Sequence, residues 1–358
     1  MSRKRSRRSA RRLFRRLALF LLAATVSALT GILALRPESL PVETGSDAAG
    51  QISFLVDGSL GARFAGEMVA QRERFFASNV TLRADPNVPD FVSTVARKRA
   101  IGVTTGQKFL LAAWTGVPVT AFAASLLDTP TVILTLESSG LRRPADLVGK
   151  RLGYRKASEG DVVFDAMMAQ LGLPRSQITK IQDRDTLDAL RAGEVDAIIT
   201  TSGQEATSSE PYIRLNVIKP QDYGIHVPGL VYFASSDLVH DRPSAVTQVL
   251  EGLIKGWHFV YRDYARSVPI LVDFDPERLS PDRMKFELQQ QRSLVLPTGG
   301  RVADYDESRW RTLRDILIFG KLGEETVPLA QSVNFQFLRD VYRRSPNLAA
   351  PGAWGIQN

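Results

Sequence analysis

From residue 51 onward the chain alternates between short apolar runs and longer stretches with helical spacing. Ile52–Val56 (ISFLV) reads as a strand, and Gly61–Phe76 places Phe64, Met68, Val69 and Phe76 at helical intervals. Val80–Ala84 (VTLRA), Ile101–Thr104 and Val117–Ala123 predict further strands, separated by helices near Asp90–Lys98 and Gln107–Trp114. Thr131–Glu137 (TVILTLE) is a longer β-branched run, after which the alternation restarts. Strand Arg151–Tyr154, helix 158–171, strand Ile178–Gln182, helix 185–192 and strand Ala197–Thr200 follow. Ser158 with Asp161 three residues on forms a variant capping box, and Gly172 closes that helix. Leu230–Ser235 (LVYFAS) is a second long strand; beyond it come helices over Pro243–Arg266, Pro281–Leu294 and Glu307–Leu322. Such alternation predicts an α/β fold of parallel sheet covered by helices on both faces.

The layout predicts two lobes. Residues 51–137 and 231–345 form the first, interrupted by an inserted second lobe, 138–230. The runs Thr131–Glu137 and Leu230–Ser235 would then cross between lobes as a two-strand hinge, with a cleft between them. Residues 346–358 read as a C-terminal tail, and no internal repeat interrupts the pattern.

The N-terminus differs in character. Arg3, Lys4, Arg5, Arg7, Arg8, Arg11, Arg12, Arg15 and Arg16 precede Leu17–Leu35, which carries no charge. This is the pattern of an export signal, and Arg11-Arg12 followed by Leu13-Phe14 resembles a twin-arginine signal. At ~1.5 Å per residue the apolar run also approaches the ~30 Å hydrocarbon core, so residues 1–36 meet both descriptions, a cleaved leader and an uncleaved inner-membrane anchor. Either way the remainder is expected in the periplasm, joined through a linker at 37–50. The basic run also accounts for the net charge of +8: without its nine residues, 37 basic side chains face 38 acidic ones. That balance gives no counterion-release drive toward nucleic acid. The chain has no cysteine, which excludes disulfides, thiolate metal sites and cysteine nucleophiles.

Catalytic signatures are missing. Gly102–Lys108 (GVTTGQK) is one residue short of a phosphate loop, with Phe109 where Ser or Thr is required. His226, His240 and His258 are not spaced as ligands on one helix. No enzyme activity, metal or cofactor is expected. What remains is a set of polar residues at strand C-terminal ends, where open sheets present their crevice. Asp57 and Ser59 follow the first strand; Thr104, Thr105 and Gln107 the third; Arg155, Lys156 and Ser158 the first of the inserted lobe; Thr201, Gln204 and Glu205 close the series. Individually Ser59, Thr105 and Ser158 also read as helix caps, and Arg155 and Lys156 as solvated charges. Together, on one cleft, they predict a binding site.

Five segments in order carry a family resemblance: FAGEMVAQRERFF (64–76), GVTTGQKFLLAAWTGVPVTAFA (102–123), SSGLRRPADLVGKRLGY (138–154), AGEVDAIITT (192–201) and QDYGIHVPGLVYFAS (221–235). The chain resembles type II solute-binding proteins of ABC importers, in the branch of nitrate/sulfonate/taurine-type and thiamine-pyrimidine synthase-like proteins. The resemblance implies the two-lobed periplasmic binding protein type II fold and a ligand between the lobes. It places Thr104–Gln107 on one jaw and Arg155–Ser158 with Gln204 and Glu205 on the other. Tyr223 and His226 would stand near the mouth or wall of the cleft. The implied partners are a small-molecule ligand and the permease and ATPase of an ABC importer. Ligands open at this point include a thiamine-pyrimidine precursor, a sulfonate and nitrate. Fungal synthases of this superfamily use a cysteine-rich motif that this chain lacks. The aromatic segment with which pyrimidine-binding members follow the first strand is replaced by Asp57-Gly58-Ser59-Leu60. A membrane-tethered ligand sensor and a synthase-like enzyme are the alternatives to import.

Overall fold

The computed structural model describes residues 50–84, 86, 88–203 and 213–349. The expected export segment, residues 37–49 of the linker and 350–358 of the tail lie outside them. Among the described residues no helix is long and apolar enough to cross a membrane.

The first part of the chain runs β1 (Ile52–Val56), α1 (Ala65–Arg72), β2 (Val80–Ala84), α2 (Phe91–Arg97), β3 (Ile101–Thr105), α3 (Gly106–Trp114) and β4 (Val119–Ala124). Then follow β5 (Thr131–Leu136), β6 (Arg151–Tyr154), α4 (Glu159–Gln170), β7 (Thr179–Gln182), α5 (Leu187–Arg191), β8 (Ala197–Thr201) and β9 (Leu215–Ile218). Finally come β10 (Leu230–Ser235), α6 (Ser236–Asp241), α7 (Pro243–Arg262), α8 (Tyr264–Val272), α9 (Pro281–Val295), α10 (Glu307–Phe319), α11 (Leu329–Ser332) and α12 (Gln336–Arg344). The long helix expected over Pro243–Arg266 is broken at Asp263, whose carboxylate accepts from the Arg266 N–H and caps a new helix.

The strands form two five-stranded sheets, ordered β2-β1-β3-β10-β4 and β7-β6-β8-β5-β9. Both are mixed rather than parallel. β10 runs antiparallel to β3 and β4, and β5 antiparallel to β8 and β9. Each reversal comes from a strand reached by the crossings, which enters its sheet without a βα unit to set a parallel direction. The crossings also differ in position from the expected ones. Thr131–Leu136 is already a full member of the second sheet, and Leu230–Ser235 of the first. The segments that pass between sheets are therefore 125–130 and 219–229, and the first lobe ends before residue 131 rather than at 137. β9 was not expected: LNVI is short and sits against a single neighbour, β5.

Period-two alternation divides the core. In β10, Leu230, Tyr232 and Ala234 face one apolar cluster, with α1 and α7, while Val231 and Phe233 face another. That second cluster does not stop at the lobe boundary. It continues through Leu313, Ile316 and Leu317 of α10 to Val162, Val163 and Phe164 of α4, so one helix is packed against both lobes. Close approach of α1 and α7 requires glycine: a Cβ on Gly256 would stand 2.1 Å from the Gly66 carbonyl oxygen. This approach brings Trp257 against α1 beside Glu67, whose side chain is fully buried.

Candidate functional site

A cavity of about 910 Å³ lies between the two sheets, walled by both. From the first come Arg63, in the turn before α1, and Thr105, Gln107 and Lys108 at the start of α3. The second contributes the loop and helix start at 155–160, the loop and helix start at 185–188, and Thr200 and Thr201 at the end of β8. The sequence brings these groups here by one rule: each follows a strand whose C-terminal end opens toward the same crevice. Gly153 in β6 assists, because a Cβ there would lie 1.9 Å from the Arg184 carbonyl oxygen, and glycine lets the loop carrying Asp185 lie flat on the strand.

The two α-helix starts are capped in the same way. The Thr105 hydroxyl accepts from the Lys108 N–H at 3.2 Å, and the Ser158 hydroxyl from the Asp161 N–H at 3.2 Å. Both residues thus serve as caps and also line the cavity. Gln107 reaches across it: its amide donates to the Ala157 carbonyl at 3.0 Å, a direct hydrogen bond between the lobes. We expect Gln107→Ala to lower stability by about 0.5–1.5 kcal/mol. Amide exchange around 155–158 should accelerate in the same variant, measured by hydrogen-exchange mass spectrometry. Unchanged exchange there would show that the contact does not hold the lobes.

The other expected residues divide. Arg155 lines the cavity and pairs with Asp185 at 3.4 Å; Lys156 lines it and is exposed; Thr201 lies on its wall. Asp57 and Thr104 stand behind the lining: the Thr104 hydroxyl and Lys108 ammonium (2.8 Å) both bond the Asp57 carboxylate, leaving it a local support for α3. Ser59 is exposed and outside the lining. Gln204 and Glu205 lie outside the described residues. Tyr223 and His226 do not reach this cavity. The Tyr223 carbonyl accepts from Gln170, and the His226 ring bonds Asp128 at 2.7 Å on the crossing segments. Both sit on the return crossing 219–229, which keeps them at the base of the lobes.

Sequence reasoning missed the pair that dominates the electrostatics, Arg63 and Glu159. Glu159 is the first residue of α4, directly after the cap, so its carboxyl turns into the cavity; there the Thr129 hydroxyl donates to it at 2.5 Å. Burial pushes its pKa up to about 7, against the opposing pull of Thr129 and Arg63. Burial likewise lowers the pKa of Arg63, countered by Glu159, Asp57 and Glu287. The guanidinium stays cationic. Among the described residues Arg63 makes no ion pair. The cap position was the one available signal for Glu159; for Arg63, a lone arginine in a turn, there was none. No group of His, Cys, Asp and Glu suited to a metal occurs among the described residues.

A model of the NMT1/THI5-like family matches residues 62–265, more than half of the chain and spanning both sheets. The chain belongs to the NMT1/THI5-like family. A Haemophilus influenzae protein named for thiamine biosynthesis is 27% identical over 160 residues, covering 43% of this chain and 51% of that one. The chain thus spans about half the length of that curated relative. Among solved structures, the periplasmic aliphatic sulphonate binding protein SsuA of Escherichia coli superposes with a TM-score of 0.63 at 17% identity, over 79% of this chain and 91% of its own. The desulfurization enzyme DSZB superposes at 0.57 and 14% identity, over 82% and 99%. This NMT1/THI5-like chain therefore has the two-lobed periplasmic binding protein fold expected from its motifs, a fold that also houses an enzyme.

Proposed function

We propose that this NMT1/THI5-like protein is the solute-binding component of an ABC importer, acting in the periplasm and holding a small polar solute between its lobes. One observation carries the reading: the inter-lobe cavity is lined by polar groups from both sheets, already bridged by Gln107 and Ala157. A solute that bonds both jaws favours their approach by its difference in affinity for the two arrangements. The solute carries an acceptor for Arg63, and the sulfonate, carboxylate and pyrimidine classes all offer one. Permease and ATPase subunits are the partners of this role.

A second reading draws on Glu159, a carboxyl near neutrality in a cleft, the arrangement a general acid or base requires. Against it stands the cavity lining, which among the described residues holds no histidine and no candidate nucleophile beside a base.

The test is a thermal-shift screen of small sulfonates, carboxylates, amines and pyrimidines, followed by mass analysis of the bound molecule. A solute binding the native state raises the melting temperature with concentration and is recovered unchanged. Recovery of a converted product would move the protein to the enzymatic reading. No shift from any class would remove this cavity as the site.

A further inference from the structure

A second cavity, of about 250 Å³, lies where the chain crosses between lobes. Its walls include Thr129 and Pro130 of the first crossing, Gln221 of the second, and Leu294 and Pro297 beyond the middle of α9 and its end. Pro130 and Thr131 also line the larger cavity, so the crossing is the partition between the two. Two polar atoms on this wall are buried with no hydrogen-bond partner: Gln221 Oε1 and Ser202 Oγ. Both side chains are held in place. The Gln221 amide nitrogen donates to the Thr129 carbonyl, which fixes the other end of the amide as the oxygen. The Ser202 backbone N–H donates to the Pro130 carbonyl at 2.7 Å. Unpaired buried polar atoms are costly, and two on one small cavity mark a place where a partner is wanted.

Charge at this wall is already satisfied. The Asp128 carboxylate receives Arg309 at 2.5 Å, His226 at 2.7 Å, and the backbone N–H groups of Thr129 and Val227 at 3.1 and 3.2 Å. Leu127, Val132, Leu294 and Pro297 supply apolar surface beside the two orphaned oxygens. What is missing is one donor for Gln221 and one partner for Ser202, without a counter-charge.

We propose that this crossing cavity is a second binding site, for a small uncharged molecule of the amide or lactam type that donates one hydrogen bond and accepts another. The occupant sits on both crossing segments and is separate from the solute of the larger cavity.

The probe is caprolactam, titrated into the full chain by calorimetry and thermal shift, with N-methylcaprolactam as the control that lacks the N–H. Caprolactam binds one to one, and loss of the donor or of its acceptor in Gln221→Leu weakens it roughly tenfold, the worth of one hydrogen bond. Ser293→Trp, at an exposed position of α9 on this cavity, blocks binding without touching the core. Arg63→Ala, in the larger cavity, leaves it unchanged. Equal binding of the two lactams, binding that survives Ser293→Trp, or no binding because solvent alone satisfies these atoms would each overturn the proposal.

Discussion

Raising the pH from 5 to 8 will weaken the fold by up to roughly 3 kcal/mol through Glu67 alone. This carboxyl is fully buried in the first lobe. The Tyr232 hydroxyl donates to its Oε1 at 2.8 Å and itself accepts from the Trp257 indole at 2.9 Å, while Oε2 has no partner. Burial is the main cause that pushes its pKa from 4.5 up to about 7; the hydrogen bonds from Tyr232 and Ser125 oppose it. The folded protein thus holds a proton that the unfolded chain releases near 4.5. Stability from this group is complete below that value and is lost as pH rises through 7. Glu159 adds a loss of the same sign. His258, pushed down to about 4 by burial, acts oppositely: below 6.5 the unfolded chain takes up a proton that the folded one refuses. Comparing wild type with Glu67→Gln cancels both. Gln keeps the acceptor for Tyr232 and mimics the neutral acid. Urea melts should give the two proteins similar stability at pH 5 and the variant a growing advantage toward pH 8. A difference that stays constant across that range would mean Glu67 does not change protonation there.

Removing the Arg63 guanidinium will cost the bound solute about 10- to 150-fold in affinity, the range of a charge-assisted hydrogen bond of 1.5–3 kcal/mol. Arg63 is the half-buried cation of the larger cavity that makes no ion pair among the described residues, so a bound acceptor gains its full interaction. Arg63→Lys should recover part of the loss, since the charge returns without the planar fork. Glu159 adds a pH dependence with a definite sign. Above about pH 7 its carboxylate ionises opposite Arg63 and competes for it, so an anionic solute binds more weakly at pH 8 than at 6. Glu159→Gln flattens that profile. The measurement is calorimetry with the solute found by screening, at both pH values. Wild-type affinity in Arg63→Ala would place the solute elsewhere.

What local pattern encodes was legible early. Strands such as Ile52–Val56 and Arg151–Tyr154, and the helix that opens after Ser158, follow from side-chain period and capping chemistry, which act within a few residues. The five ordered motifs identified the family and, with it, the two-lobed fold. Several polar residues at strand ends also came to one cavity, because the end of a strand in such a fold fixes a direction. Which sheet Thr131–Leu136 joins was not legible. Its apolar run suits either lobe, and only pairing with β8 and β9, residues 197–218, decides it. The same holds for β10, whose antiparallel entry makes the first sheet mixed. Tyr223 and His226 were misplaced for a related reason: they lie on the crossing, and the resemblance gave their order without their depth. Arg63 and Glu159 lie nearly a hundred residues apart and belong to different lobes. Composition and spacing therefore determined the elements, their order and the family. Tertiary structure alone decided the partition between lobes, and which charges are desolvated together, since desolvation is a property of the packed surroundings and not of the neighbouring sequence.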